Sequence, residues 1–307
     1  MTVAGDTTAQ DTTPLDPELL DEVARQAVDW LVRARDSFRL PDDAVTDADR
    51  DRTWKPLGEL AELSGYIAVA HPRADIRETA RSLLDFAWQE TARGELFAEL
   101  MHREPYATYP VELYGAFARA GLRHPRADAL AGVTTRLRTR AVPRDAPTRT
   151  LGVLRAEQRI GLTPHGDLDT ELARTWLGSL PEPWALERRT AYGLTHDVFH
   201  VTDWGRARAD MAPRTADYLR LWLPAWLECW LAEEEWDLAG ELLAVAACLP
   251  TAARHGTAWE RLAAAQSTDG SIPENGTLPQ DLFRTCYHST LVAAFAATLA
   301  LADGNPR

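Results

Sequence analysis

The sequence has very little lysine and no long uninterrupted apolar segment. Lys55 is the one lysine among 33 basic residues, so arginine carries almost all of the positive charge, a pattern that codon bias in a GC-rich genome produces. No run of about 18 uncharged apolar residues is present, which predicts that no helix spans a membrane. The N-terminus lacks the basic and apolar regions of a signal peptide. We therefore expect a cytoplasmic protein with no membrane partner.

Cysteine and net positive charge are also scarce. Cys229, Cys248 and Cys286 make an odd number with no CxxC spacing, which argues against a disulfide framework and for a reducing compartment. The formal net charge is −13, and because phosphate-backbone binding requires a basic face, it predicts no nucleic-acid partner. Two acidic runs, AEEEWD (residues 232–237) and PDDAVTDADRDR (residues 41–52), lack EF-hand spacing. We predict that both runs are solvated surface.

Alternation of polar and apolar residues, which a half-buried β-strand requires, persists nowhere, whereas helical periodicity runs through almost the whole chain. The pattern predicts about twelve helices, give or take one, joined mostly by short turns with proline or glycine. The first helix has Asp16 as its N-cap and Pro17 at its first position. Antiparallel pairs of such helices fit an all-α fold, six helical hairpins closed into an (α/α)6 toroid with a central cavity. An open helical solenoid is the alternative, although no repeat of fixed length is present.

The domain organisation is simple. Residues 1–14 are predicted to be a disordered leader, and residues 15–307 a single toroid domain. If the first helix lies on the outside, alternate helices face the cavity, where a ligand site is expected. These inner helices are predicted to begin near Trp54, Pro105, Thr148, Ala185, Asp237 and Asp281.

The stretch YGLTHDVFHVTDWG, on the fourth inner helix, is the first candidate site. His196, His200 and Asp203 follow one another at positions i, i+4 and i+7, so they share one face of a helix. Two imidazoles and a carboxylate are a ligand set for zinc, non-haem Fe(II) or Mn, and His288 from the last inner helix can complete it. The pattern differs from the HExxH of zinc proteases because Asp197 follows the first histidine.

Asp203 is also placed at a predicted helix end, just before Gly205. A carboxylate there opposes the helix dipole by ~0.3–1 kcal/mol, so we expect a compensating cation or metal. The alternative is that Asp203 caps a neighbouring loop or pairs with Arg206 or Arg208.

A second hypothesis uses no metal. A histidine beside a carboxylate is a competent general acid or base, so His196, Asp203, His288 and Tyr287 are the catalytic candidates. Aromatic side chains on inner helices would line the cavity and can stabilise cationic groups, although plain core packing also accounts for them. The predicted substrate-binding residues are Trp54, Tyr106, Tyr109, Glu112, Phe199 and Trp204.

Two segments near the C-terminus resemble the terpenoid cyclase and protein prenyltransferase superfamily. LAAAQSTDGSIPENG resembles its QW-type motif, with Gln266, Gly270, and Ile272 in place of the aromatic residue. CYHSTLVAAFAA resembles the Tyr-His-Thr helix opening of the prenyltransferase β-subunit, which implies that His288 is a zinc ligand. The resemblance covers roughly the last fifty residues and implies the toroid fold. The DxDD motif of squalene-type cyclases is absent, and Ser271 stands where a cysteine ligand would be needed.

THDVFHVTDWG also resembles a signature of an uncharacterised bacterial family associated with biosynthetic loci. The predicted apolar cavity with its His/Asp stripe leads us to expect a small-molecule biosynthetic enzyme, a cyclase, lyase or transferase. It would catalyse cyclisation, elimination or group transfer on a hydrophobic substrate, free or carrier-bound, at a His/Asp site with or without a divalent metal such as zinc. One alternative is a non-catalytic toroid that binds a ligand or a carrier protein. Another is a glycan hydrolase in which Glu112 pairs with Asp203 or Asp237.

Overall fold

The structure is a computed structural model that describes residues 13–142, 146–277 and 281–303. Its secondary structure in these ranges is entirely helical, without a β-strand, so the predicted all-α class is confirmed. The predicted disordered leader lies outside the described residues except for Thr13 and Pro14.

Fourteen α-helices occur in the described part of the chain. They are α1 (Pro17–Ala34), α2 (Trp54–Ala70), α3 (Ala74–Glu90), α4 (Glu95–Arg103), α5 (Tyr109–Arg119), α6 (Pro125–Thr134), α7 (Pro147–Ile160), α8 (Leu168–Leu172), α9 (Trp176–Ser179), α10 (Arg188–Val201), α11 (Pro213–Ala232), α12 (Trp236–Cys248), α13 (Gly256–Ala265) and α14 (Leu282–Asp303). Short 3-10 helices occupy Arg35–Phe38, Ala92–Gly94, Arg138–Ala141, Pro183–Ala185 and Arg208–Asp210.

One predicted helix is interrupted, which contributes to the higher helix count. The segment 166–180 forms two short helices, α8 and α9, instead of one. The Thr175 side chain caps α9 by accepting a hydrogen bond from the amide of Gly178 (3.0 Å). At Gly178 the chain folds back so closely that a Cβ there would stand 1.8 Å from the carbonyl oxygen of Leu172. A local cap and a close backbone approach thus override the helical periodicity.

Asp16 and Pro17 start α1 as predicted. The Asp16 carboxylate accepts hydrogen bonds from the amides of Glu18 (2.9 Å) and Leu19 (3.4 Å), two of the four amides that an α-helix leaves unpaired at its start. The cap fixes the beginning of a helix whose apolar face packs against α14 and α3.

Asp16→Ala is expected to lower the free energy of unfolding by about 1 kcal/mol, because it removes both side-chain hydrogen bonds of this cap. Chemical denaturation measures the change. Asp217→Ala, which removes an exposed aspartate paired only with Arg220 one turn later, is the matched control and should change stability by less than about 0.5 kcal/mol. Equal effects of the two substitutions would contradict the capping role.

Six helices pack against one another in succession. α2 contacts α5, α5 contacts α7, α7 contacts α10, α10 contacts α12, α12 contacts α14, and α14 contacts α2. Other helices contact these six: α1 contacts α14, α3 contacts α2, and α11 and α13 contact α12. The six helices that contact in succession begin at Trp54, Tyr109, Pro147, Arg188, Trp236 and Leu282, close to the starts that the sequence predicts for the inner helices.

The last helix is at the centre of the core. Contrary to the sequence-based expectation that no segment is long and apolar enough, Leu282–Ala302 could cross a membrane by length and composition alone, and 72% of its most apolar window is buried inside the protein. Its apolar side chains, among them Leu291, Phe295 and Leu299, are completely or almost completely buried. The strong hydropathy of this segment is therefore accounted for by contacts with α1, α2 and α12.

The segment that resembles a QW motif attaches a loop to α1 and α14. The Gln266 side chain donates hydrogen bonds to the carbonyls of Val23 (3.3 Å) and Gly270 (3.0 Å). Gly270 has a φ of +88°, and a Cβ there would stand 2.2 Å from a backbone oxygen of α1. Buried Ile272 donates its amide to the Thr290 hydroxyl (2.9 Å). In this chain these residues attach the loop to the middle of α1 and to Thr290 of α14.

Candidate functional site

A cavity of about 700 Å³ lies among α2, α5, α7, α10, α12 and α14, mostly along their N-terminal halves. Its apolar wall includes Leu63, Leu113, Val292 and Phe295. Eight of the residues that the sequence singled out line it: Trp54, Tyr109, Glu112, His196, Phe199, His200, Trp204 and His288. The structure therefore brings most of the predicted candidates to a single space.

Three of the predicted residues lie elsewhere. Tyr106 is on the loop before α5 and is 65% exposed. Tyr287 borders a smaller adjoining recess, where it stacks on Phe283 and donates its hydroxyl to Glu59 (3.0 Å). Asp203 is buried outside the cavity.

An acid–histidine cluster, consisting of Asp237, Glu241 and His288, forms the polar wall of this region. Asp237 and Glu241 are four residues apart on α12 and so share one face, while His288 comes from α14. His288 Nδ1 lies 2.7 Å from an oxygen of Asp237, and its Nε2 lies 3.7 Å from Glu241 and 3.7 Å from Glu59. One imidazole thus faces three carboxylates.

Asp237 and His288 form a charged pair. Burial alone would lower the pKa of His288, but the charges of Asp237, Glu59 and Glu241 and the hydrogen bond to Asp237 raise this pKa to about 10. Burial would raise the pKa of Asp237, yet the charge of His288 and hydrogen bonds from His288 and Tyr192 hold it below its ordinary value. The Tyr192 hydroxyl donates to the second carboxylate oxygen (2.7 Å). At neutral pH the pair is an imidazolium and a carboxylate.

Glu241 is in a different state from its neighbour on α12. It is 1% exposed and accepts a hydrogen bond from the Thr195 hydroxyl. Burial raises its pKa, and the charge of Asp237 adds to the rise, against the opposing effects of His196, His288 and Thr195. When the environment shifts the pKa values of two neighbouring carboxyl groups in opposite directions, the group with the raised pKa can act as an acid and the other stays ionised. Glu241 is therefore suited to hold and release a proton, whereas Asp237 stays ionised.

His196 presents an unprotonated nitrogen when it is neutral. Its Nδ1 lies 2.8 Å from the carbonyl oxygen of Tyr192. A carbonyl only accepts hydrogen bonds, so Nδ1 carries the proton and Nε2 carries the lone pair. The side chain is 36% exposed and lines the cavity, and Nδ1 lies 3.8 Å from Glu241. A base and an acid thus stand side by side.

His200 is a neutral imidazole that packs within the cavity wall. Burial, with smaller contributions from the charges of His196, Arg159 and Arg155, lowers its pKa well below the ordinary value. The ring makes edge contacts with His196 (centroids 6.3 Å apart) and Trp204 (6.4 Å). A Cβ on Gly152 would come within 3.0 Å of this ring, so the glycine leaves room for it.

Asp203 is not part of a metal set with these histidines. Its carboxylate pairs with Arg159 (2.8 Å) and with Arg119, and its partners are therefore not the predicted Arg206 and Arg208. The helical spacing fails because Asp203 and Trp204 have φ of +48° and +56°, so the chain has left the helix before position i+7. The predicted set of His196, His200, Asp203 and His288 is consequently not assembled. The compensating charge expected at this helix end is supplied by the two arginines.

The carboxylate pair of a glycosidase is not formed from the predicted residues either. Glu112 pairs with Arg149 (3.2 Å), Asp203 with Arg159, and Asp237 with His288. Each of the three carboxylates is paired with a cation, and Glu112 lines the cavity whereas Asp203 and Asp237 do not.

Glu241 and Glu59 were not among the residues predicted from the sequence, and Asp237, correctly predicted to open a helix, was wrongly included in a solvated run. Asp237, the last residue of the run predicted as solvated, is only 4% exposed. A signal was present: two carboxylates stand four residues apart in the otherwise apolar helix WDLAGELLAVAAC. An isolated polar pair on such a helix must find partners when it is buried.

The acid–histidine cluster also offers donors for a divalent cation. One oxygen of Asp237, one of Glu241 and one ring nitrogen of His288 all lie within 4.8 Å of one another. This mixed nitrogen and oxygen set suits zinc or manganese. The cluster thus fits a metal by donor type, with His288 in both the predicted and the observed set.

Comparison with known proteins gives a family and no activity. The model of a family described as a domain of unknown function (DUF6895) matches residues 24–298. No curated protein and no solved structure matches the chain. The matched range contains every residue of the acid–histidine cluster and of the cavity lining.

Proposed function

This chain belongs to the DUF6895 family, and we propose that its central cavity is the active site of an enzyme that transfers protons on a small, largely apolar molecule. The observation that carries the proposal is the arrangement of Glu241, His196 and His288 on one wall of the cavity. Glu241 and His196 stand 3.8 Å apart, and Glu241 and His288 3.7 Å apart. Cyclisation and elimination are among the reactions that use such an acid and base together.

The proposed architecture is an (α/α)6 toroid. It is supported by the succession of contacts among α2, α5, α7, α10, α12 and α14, which returns from α14 to α2. The cavity lies among these six helices. An open solenoid would leave its first and last helices without mutual contact.

In the proposed mechanism, His196 removes a proton from the substrate through Nε2, the nitrogen that carries the lone pair. Glu241 delivers its proton to the atom that gains electrons or to the leaving group. The imidazolium of His288, fixed by Asp237, lies close enough to stabilise negative charge that develops there. After the step Glu241 is a carboxylate beside an imidazolium at His196, and exchange with solvent restores both.

The remaining cavity residues bind and orient the substrate. Phe199 and Trp204 are stacked with ring centroids 4.8 Å apart, and Phe295 meets both edge-on. These rings and Trp54 give an apolar surface that excludes water, which strengthens electrostatic interactions inside the site. The substrate would therefore be apolar over most of its surface, free or attached to a carrier.

Deuterium transfer tests this proposal even while the substrate is unidentified. Purified protein is incubated with a small-molecule extract in D2O, and mass spectrometry follows the compounds that gain deuterium or change mass. We expect the wild type to convert or label at least one compound, and His196→Gln and Glu241→Gln to slow this by about 10²–10⁴-fold.

Glu228→Gln, at an exposed position on α11, is the control and should behave as the wild type. Activity in both site variants at the wild-type rate would refute the proposed acid and base. Binding of a compound without any deuterium transfer would favour a non-catalytic binding protein.

A metal-assisted group transfer is the second candidate, favoured by the 4.8 Å grouping of Asp237, Glu241 and His288. Bound there, a divalent ion would supply Lewis-acid activation of the substrate. Elemental analysis after purification tests it: the metal hypothesis predicts about one ion per chain in wild type and in Asp203→Asn, and a loss in Glu241→Gln. Retention in Glu241→Gln, or a loss in Asp203→Asn alone, would contradict this metal site.

A further inference from the structure

A second cavity, of about 1140 Å³, lies toward the C-terminal ends of several of the same helices and adjoins the first cavity at Glu62, Ala116 and Arg159. It is lined by the C-terminal residues of α2, α5 and α7 and by the turn after α10, whereas the first cavity is lined mostly by N-terminal halves. Five arginines line it, and we call them the arginine basin: Arg81, Arg119, Arg159, Arg206 and Arg208. This concentration of positive charge stands out in a chain whose net charge is −13.

Two of the basin arginines serve helix ends. Arg81 donates to the carbonyl oxygen of Ala68 (3.2 Å), and Arg208 donates to those of Gly205 (3.1 Å) and Leu299 (3.3 Å). Cations there compensate the partial negative charge of helix C-termini. These two side chains are accounted for by the fold itself.

Two further arginines are held by carboxylates. Arg159 pairs with Glu62 and Asp203, and Arg119 pairs with Asp203. Two carboxylates therefore face two guanidinium groups, and their charges balance.

Arg206 adds a third positive charge to this group of two arginines and two carboxylates. Its guanidinium donates no hydrogen bond to any residue in the described ranges, and its Nη1 is buried without a hydrogen-bond partner. Glu62 lies 3.6 Å from Nη1, too far for a hydrogen bond. The guanidinium carbon rests 4.7 Å from the centre of the Tyr66 ring, which holds the group on the wall of the cavity.

An arginine has five N–H donors in a fork that matches phosphate oxygens. Most buried guanidinium donors find partners, because an unmet buried donor costs roughly 1–3 kcal/mol. Arg206 has N–H donors without partners among the described residues and carries a surplus positive charge. It also borders a cavity wide enough for a small molecule.

We propose that the arginine basin binds a phosphate group of a small molecule, with Arg206 as the principal contact. The site is separate from the acid–histidine cluster and does not depend on the function proposed for it. Arg119 and Arg208 border the same cavity and add to the positive potential that draws the anion in. Tyr66 keeps the Arg206 fork oriented by cation–π contact.

Isothermal titration calorimetry with inorganic pyrophosphate, at constant ionic strength, tests the proposal on the full chain. We expect saturable binding to the wild type, a dissociation constant at least about tenfold weaker in Arg206→Gln, and an intermediate value in Arg206→Lys, which keeps the charge but loses the fork. Arg220→Gln, an exposed arginine on α11, should bind as the wild type does. Circular dichroism confirms that each variant is folded.

No pyrophosphate binding by the wild type, or equal binding by Arg206→Gln and wild type, would overturn the proposal. Succinate in place of pyrophosphate separates phosphate from carboxylate recognition, and equal or tighter succinate binding would refute the phosphate assignment. Vesicles containing phosphatidic acid separate a soluble ligand from a lipid headgroup. Binding to these vesicles through Arg206, without pyrophosphate binding, would refute a small soluble ligand.

Discussion

Replacing Arg159 with methionine is expected to lower the free energy of unfolding by about 3–5 kcal/mol. The guanidinium of Arg159 is almost completely buried and holds two carboxylates, those of Glu62 and Asp203. Methionine fills much of the space but leaves both buried carboxylates with fewer partners. Removing one partner of a buried ion pair lowers stability far more than replacing both partners with apolar residues, because the remaining charge stays buried without a partner.

The loss should also disturb the turn that follows α10. Asp203, Trp204 and Gly205 all have positive φ, and the bond from Arg159 to Asp203 helps to keep the first of them in place. Because Trp204 lines the first cavity, its fluorescence should shift in the folded variant. Denaturation in urea measures the stability, with Arg220→Met at an exposed position as control. A loss below about 1 kcal/mol would show that the two carboxylates find other partners.

Asp237→Asn is expected to have the second large effect, again about 3–5 kcal/mol, because it leaves the imidazolium of His288 without its nearest counter-charge. The amide keeps the shape of the carboxylate and can still bond to Tyr192. The pKa of His288 should fall from about 10 in the variant, since the charge of Asp237 is the main cause of the rise. NMR titration of the histidine Cε1 protons measures that shift.

The pH dependence of stability follows from the same pair. The pKa of His288 is higher in the folded chain than its ordinary value of 6.5, so the folded state binds more protons than the unfolded state between these values. The contribution of His288 to the free energy of unfolding is complete below pH 6.5 and is lost as the pH rises toward about 10. The wild type should therefore lose stability over this range more steeply than Asp237→Asn. Parallel curves for the two proteins would contradict the assigned pair.

The positions of the six helices that contact in succession were predictable because they depend on local patterns. Apolar residues recur with helical spacing, and Pro17, Pro110 and Pro147 stand in the first turn of their helices. Trp54 opens α2 as predicted. The division between α8 and α9 was not predictable, because it depends on the close approach of Gly178 to the preceding turn.

The candidate site was only partly predictable, and the reasons are physical. His196 and His288 were found because histidines on cavity-facing helices are chemically conspicuous. Asp203 was misplaced because its spacing was interpreted as helical where the backbone turns left-handed. Glu241 was missed because its role depends on Thr195, His196 and His288, which α10 and α14 bring to it. No pattern along the chain records that proximity.

Titration of the Glu241 carboxyl group tests whether this residue is the acid of the proposed site. Carbon-13 NMR of protein labelled in the glutamate side-chain carboxyl, assigned by the signal missing from Glu241→Gln, follows its protonation against pH. The proposed acid role predicts a midpoint clearly above the ordinary value of 4.5. A Glu241 midpoint at or below 4.5 would mean that the residue is ionised beside His288 at neutral pH and has no proton to deliver, which would refute its role as the acid.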